Sequence, residues 1–220
     1  MRKLFLTFVA LVVGSFTAMA QSTVGLEARA GLNISKLYFV DDYDFENNAN
    51  SGVNAGLLLT VDFPKGVGFE TGLVFSVKGN SSEVETNNRT DEHYYTRSYL
   101  ELPVHFRYRV PIDDKVTFVA RVGTYYAVGV YGRDKEEITI KDPNGSEHQT
   151  TKNHKMTIGT GSNAGFRPFD VGLQAGLGVE VGRFTGSAQF SYGFLNVLPK
   201  DTYGNTHNMT LSFIVGIKIF

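Results

Sequence analysis

The sequence contains no cysteine, so it can build neither a disulfide framework nor a thiolate metal site. Beyond residue 20 no apolar run approaches the roughly 20 residues that a spanning helix requires. A chain of this kind crosses a bilayer with strands or not at all. Charge of either sign is also not in surplus: 21 basic residues stand against 22 acidic ones, which offers no basic surface for nucleic acid. The one apolar run is N-terminal. Arg2 and Lys3, an apolar core over 4–13 and the small-residue run Ala18-Met19-Ala20 read as a secretory signal over residues 1–20. Removing its two cations takes the basic count from 21 to 19 against 22 acids, a formal charge of −3. The remainder, residues 21–220, has the length of a single all-β domain.

What the sequence has instead is a period of two. Leu100, Leu102, Val104, Phe106, Tyr108 and Val110 alternate with Glu101, His105, Arg107 and Arg109. After a turn at 111–115 the even positions Val116, Phe118, Ala120, Val122, Tyr126 and Val128 are again apolar, and Arg121 falls on the odd face. Such alternation marks a β-hairpin with one apolar and one polar face. Its arms exceed the usual five or six residues and suit a tilted strand crossing a bilayer.

Six further segments share the pattern, at 24–34, 53–63, 67–77, 169–181, 184–194 and 209–219, which makes eight strands. Register supports them, because a one-residue slip would turn a strand over. Phe63 and Val67, Val110 and Val116, and Val181 and Phe184 meet across short turns with their faces in agreement. Long connections, at 36–50, 79–94, 132–167 and 198–205, alternate with those turns. Outer-membrane barrels have that asymmetry, with the long loops outside the cell. A soluble lipocalin-like barrel would show the same alternation with its apolar face turned inward.

Two arguments favour the membrane. Aromatic residues sit on the apolar face at both strand ends: Phe63, Phe69, Phe106, Tyr108, Phe118 and Phe184 at one, Phe75, Tyr126, Phe169, Tyr192 and Phe194 at the other. They have the placing of interfacial girdles. The second argument is energetic. A cationic side chain facing lipid near the midplane costs roughly 2–4 kcal/mol. About a dozen charges on the polar face would exceed the stability of a whole domain. In a membrane that face must line the lumen. The fold class is therefore all-β, an eight-stranded antiparallel up-and-down transmembrane β-barrel.

The segments YLELPVHFRY, GTYYAVGVYG, FDVGLQAGLGVEVG and YGFLNVLP resemble those of the PorT-like outer-membrane β-barrel domain of Bacteroidota. The likeness runs in order over nearly all of residues 21–220. Glu101-Leu102-Pro103 carries much of it, since proline inside a strand is unusual. The resemblance implies an eight-stranded barrel in the outer membrane and implies no single activity.

An eight-stranded barrel has an interior that side chains can fill. The inward acids are Glu27, Asp62, Glu70, Glu101, Asp170 and Glu180, and the inward bases are Arg29, Lys78, Arg97, Arg107, Arg109, Arg121 and Lys218. Near balance is what a self-neutralising lumen needs, because isolated buried charges are costly. His105 belongs to the same set. The hairpin register places it opposite Arg121, with Glu101 four residues back on its face. A histidine beside a carboxylate has the makings of a general base, but no nucleophile accompanies it in sequence.

Outside the strands, Asp41, Asp42 and Asp44 form an acidic loop that could contact a cation, although it lacks the glycine and final glutamate of an EF-hand. Tyr38, Phe39, Tyr94, Tyr95, Tyr131, Phe166 and Tyr203 gather at the outer strand ends as interfacial anchors. Taken together, the sequence leads us to expect a monomeric, non-enzymatic barrel with a plugged lumen, no cofactor and no resident metal. Its partners are outer-membrane lipid and an extracellular or envelope molecule met through the long loops, for adhesion, surface interaction or envelope assembly. A narrow ion or small-solute pore, a lipid-modifying enzyme and a soluble ligand-binding barrel are the alternatives.

Overall fold

The alternating segments pair with one another around a closed ring. The computed structural model describes residues 22–39, 47–86, 88–142, 147–199 and 204–220. The strands are β1 (Thr23–Phe39), β2 (Asn48–Asp62), β3 (Val67–Thr86), β4 (Arg89–Pro111), β5 (Val116–Lys141), β6 (Glu147–Lys155), β7 (Phe169–Val181), β8 (Phe184–Gly193) and β9 (Thr206–Lys218). Their order is β4-β3-β2-β1-β9-β8-β7-β5, and β4 pairs with β5 to close the ring. All of these pairings are antiparallel. A closed ring leaves no strand edge, which is what hydrocarbon demands of a β-structure. The signal segment, Asp41, Asp42 and Asp44, and Tyr203 lie outside the described residues.

The inside and outside of this ring are inverted relative to a soluble barrel. Leu57 is 54% exposed and Val215 69%, whereas Glu70 and Arg107 are 1% exposed and Asp170 is fully buried. The apolar belt is flanked by aromatic pairs. Phe69 meets Phe63 and Phe106 edge-on at 6.2 and 5.8 Å near the short turns. At the other end Tyr192 meets Phe194 and Tyr38, each at 6.1 Å.

Each short turn has its own local cause. Between β2 and β3, Pro64 fixes the first turn residue while Lys65 and Gly66 take positive φ (68° and 82°), which glycine adopts without strain. Gly182 does the same between β7 and β8. Phe63 N–H donates to the Val67 carbonyl across the turn at 2.7 Å, and Val181 pairs with Phe184. At the third turn, which spans 112–115, the register is shifted by two residues from the one the sequence suggested: Val110 pairs with Phe118, not Val116. The faces still agree because the shift is even. His105 consequently lies opposite Gly123, and it is Arg107 that faces Arg121.

A second difference lies beyond the belt. Segments 79–94 and 132–167, expected as loops, are largely strand. β3 and β4 stay paired from Gly79↔Thr96 to Thr86↔Arg89. β4 and β5 pair from Arg97↔Gly132 to Arg89↔Ile140, and β6 adds Arg133↔Lys155 to Lys141↔Glu147. The result is a four-stranded sheet that rises about 30 Å past Val77 at ~3.4 Å per residue. Its polar residues, such as Glu83, Glu85, Lys135 and Gln149, mask its strand character, since they mimic loop composition where the sheet stands clear of the barrel. A bulge at Ser98/Tyr99 in the β4–β5 pairing marks where barrel wall becomes free sheet.

Candidate functional site: the lumen and its outer mouth

The lumen is filled from the short-turn end upward by ion pairs that bridge strands far apart in sequence. In the lowest tier Glu180 of β7 accepts from Arg107 Nη2 (2.6 Å), Arg109 Nη2 (2.8 Å) and Lys218 Nζ (2.5 Å). Asp62 of β2 accepts from Arg109 Nη1 at 3.2 Å and lies 3.5 Å from Arg107 Nε.

The middle tier centres on Glu70 of β3. Arg29 of β1 reaches it with both terminal nitrogens, Nη1 at 2.8 Å, while its Nε donates to Glu27 at 2.7 Å. Bidentate guanidinium–carboxylate geometry is the strong, directional form of the interaction. Arg121 Nε donates to Glu70 at 3.2 Å, and His105 Nδ1 lies 3.1 Å from the same carboxylate. His105 Nε2 sits 2.7 Å from Gln174 Oε1, whose amide nitrogen lies 3.5 Å from Glu101. Both ring nitrogens are thus engaged within the lumen. The carboxylate beside His105 is Glu70, not the sequence neighbour Glu101, which the structure connects to it through Gln174.

Above this, Lys78 of β3 lies 2.8 Å from Glu101 Oε1 and 3.7 Å from Asp170 Oδ2, contacts of charge rather than aligned hydrogen bonds. Its ammonium also stands over the Tyr125 and Tyr99 rings, 4.4 and 5.4 Å from their centroids. Asp170 accepts from Tyr125 OH and Asn208 Nδ2, both at 2.8 Å. Beside this tier Asn33 bonds Asn54, Ser76 and Ser212 at 2.6, 3.1 and 2.8 Å. Between the tiers lies an internal cavity of about 30 Å³, lined by Arg29, His105, Gln174 and Ser212 among others, room for one or two waters.

The outer mouth is closed by carbon. Leu37, Tyr99, Tyr125, Ala127, Phe166, Val197 and Leu198 form a buried apolar cluster. Phe166 is fully buried, not an interfacial anchor at the rim. It belongs to the return segment 156–168, which folds back over the barrel. Its ring rests on Gly129 and Gly132, where a Cβ would stand 2.6 and 2.4 Å from ring carbons. Those two glycines in GVYG are the sequence signal for the plug, but only in hindsight, since the ring that covers them comes from more than thirty residues away.

All six inward acids and six of the inward bases are thereby brought together in ion contacts. Arg97 stands apart, above the network. Sequence reading did not assign to the network Gln174, Thr185 and Asn208, neutral groups that complete the bonds of Glu101, Glu27 and Asp170. Nor did it find the inward glycines that make room for them: a Cβ on Gly216 would lie 2.5 Å from both Glu27 Oε1 and Thr185 Oγ1. Among the described residues no group of three metal-ligating side chains converges.

Solved structures similar to this one include the attachment invasion locus protein Ail of Yersinia pestis, at 14% identity over 89% of this chain and 99% of that one, with a TM-score of 0.34. Neisserial surface protein A matches at 11% identity over 90% and 99% (TM-score 0.40). OprG from Pseudomonas aeruginosa matches at 13% over 90% and 97% (TM-score 0.40). No curated protein matches the sequence. The model of the outer membrane protein beta-barrel domain matches residues 19–198. With that match over most of its length and an eight-stranded ring that turns its apolar side outward, the chain belongs to the outer membrane protein beta-barrel domain family.

Proposed function

We propose that this outer-membrane barrel is a non-enzymatic, non-conducting scaffold that holds the β3–β6 sheet and the neighbouring loops outside the cell for contact with a surface or envelope partner. The observation that carries this reading is the pairing of a filled lumen with a projecting sheet. Charge tiers and an apolar plug enclose a mid-lumen cavity of only about 30 Å³, while four strands continue some 30 Å past the belt at ~3.4 Å per residue. A rigid frame that carries long projecting segments is a common way to present a binding surface. The reading takes residues 1–20 as the export signal, a monomer as the assembly and membrane lipid as the belt's solvent. The PorT-like resemblance of YLELPVHFRY and GTYYAVGVYG fits the same scaffold.

The test has two arms. Purified protein in planar lipid bilayers should give no single-channel steps, and protease treatment of intact cells should cut within 133–155 while the barrel survives. Regular conductance steps would replace the scaffold by a pore. A hairpin protected on intact cells but cut after outer-membrane rupture would reverse its orientation.

A further inference from the structure

At the long-loop end, between the plug and the inner face of the projecting sheet, lies a second recess of about 360 Å³. That is within the range of small-ligand sites, and it is separate from the ion-paired lumen. Its floor holds Arg97, which is 1% exposed. Arg97 Nη2 donates to Asn80 Oδ1 at 2.9 Å. Its Nε has no partner, and among the described residues no carboxylate lies within ion-pair distance. Every other inward arginine and lysine has such a carboxylate. The lumen's excess of seven bases over six acids is therefore localised on one side chain, and that side chain lines a cavity.

Beyond Asn80, Arg97 feels the Tyr99 hydroxyl and the more distant charge of Asp170, but a buried guanidinium with no carboxylate in contact is still costly. Its planar fork matches an oxyanion with two oxygens. The rest of the wall narrows the choice. Lys155 adds a second cation at the rim, while Asp134 on the opposite side is engaged by His93 Nδ1 at 3.2 Å. The remaining wall is mixed: Leu37, Phe39, Met156 and Leu198 supply an apolar part, and Tyr95, His154 and Asn163 a polar one. A headgroup of one negative charge with a compact hydrocarbon body matches the buried guanidinium and the apolar part of the wall together.

We propose that this recess binds a small amphipathic carboxylate, its headgroup on Arg97 and its hydrocarbon against Phe39 and Met156. The role is distinct from surface presentation and does not depend on it, because the site faces the projecting sheet whether or not that sheet has a protein partner.

The test is calorimetric titration of the full-length protein, folded in non-ionic detergent, with octanoate, and with octanamide as its neutral match. Wild type should bind octanoate saturably and octanamide at least tenfold more weakly. Arg97→Gln should lose at least tenfold in octanoate affinity, which matches removal of a charge-assisted contact. Because that variant relieves a buried charge, its fold is checked by heat-dependent gel mobility. Met156→Trp gives an independent arm: it narrows the recess at the wall assigned to the hydrocarbon, leaves the Arg97 side chain in place and should also weaken binding. No saturable octanoate binding by wild type, equal binding of the amide, or undiminished binding by folded Arg97→Gln or Met156→Trp would each overturn the assignment. None of these outcomes bears on the bilayer recordings that test the scaffold reading.

Discussion

Glu70→Ala is the substitution that asks most of the lumen. The carboxylate is 1% exposed and takes contacts from Arg29, Arg121 and His105. Removing it leaves Arg29 with Glu27 and His105 with Gln174, but Arg121 with no carboxylate in ion contact among the described residues. Two unit charges at the 2.8 Å of the Arg29–Glu70 contact attract by about 6 kcal/mol at an effective dielectric of 20, and by about 1.5 kcal/mol in bulk water. Desolvation offsets much of the larger figure. Losing one partner of a buried pair nevertheless costs about 3–5 kcal/mol, because the charge left behind stays buried. A pair in a water-filled channel would instead be screened like a surface pair and lose about 1 kcal/mol or less. The stability loss therefore reports whether the lumen is dry. The assay is urea titration of the protein folded into lipid vesicles, followed by far-UV circular dichroism and gel mobility. We expect a loss of about 3–5 kcal/mol for Glu70→Ala. A loss below about 1 kcal/mol would refute the tightly filled lumen.

Further expectations concern other parts of the molecule. Gly132→Ala places a methyl within 2.4 Å of Phe166 and should cost about 1–3 kcal/mol as overpacking, with faster protease cleavage in 156–168. Val104→Arg puts a cation on the lipid face and should cost about 2–4 kcal/mol in vesicles. Gln149→Arg on the fully exposed β6 should stay within about 0.5 kcal/mol, as urea titration of both variants would show. Lys78→Met and Glu101→Gln should each destabilise, and a double-mutant cycle should return about 0.5–3 kcal/mol of coupling for the 2.8 Å contact.

Most of the barrel was legible because lipid and lumen impose opposite chemistry on successive residues. The alternation in YLELPVHFRYRV states a strand's existence, its faces and its phase at once. Two of the three turn registers were also readable, since Pro64 and Gly182 leave few geometries. The third was not, because Asp113 and Asp114 allow turns of more than one length. The projecting sheet escaped notice for a physical reason. Where the sheet stands clear of the barrel, Glu83, Glu92 and Glu137 need not alternate with apolar residues, so the period that betrays a strand is absent. The candidate site divided in the same way. Which charges point inward follows from parity. Which acid meets which base does not, since Arg29–Glu70 spans 41 positions and Arg107–Glu180 spans 73, and such pairing depends on strand order and shear. Arg97 was visible in sequence only as one more inward base. Its lack of a carboxylate partner became evident once the other pairs were placed.

The most direct test of the account is which way the alternating faces point. The chain has no cysteine, so single cysteines can be introduced and spin-labelled without removing others. Leu73, Phe75, Val104 and Phe106 sample the outward face. Ser76, Ser191 and Ser212 sample the inward face at small residues outside the ion pairs, where a cysteine, nearly isosteric with serine, is left unlabelled and tested with a membrane-permeant thiol reagent. In vesicles the outward labels should collide with dissolved oxygen and be shielded from a polar nickel complex, as lipid-facing sites are, and the inward cysteines should resist the reagent until the protein is denatured. Inward cysteines that react freely from the lipid, or outward labels open to the nickel complex, would contradict the orientation on which the lumen, the plug and the recess all depend.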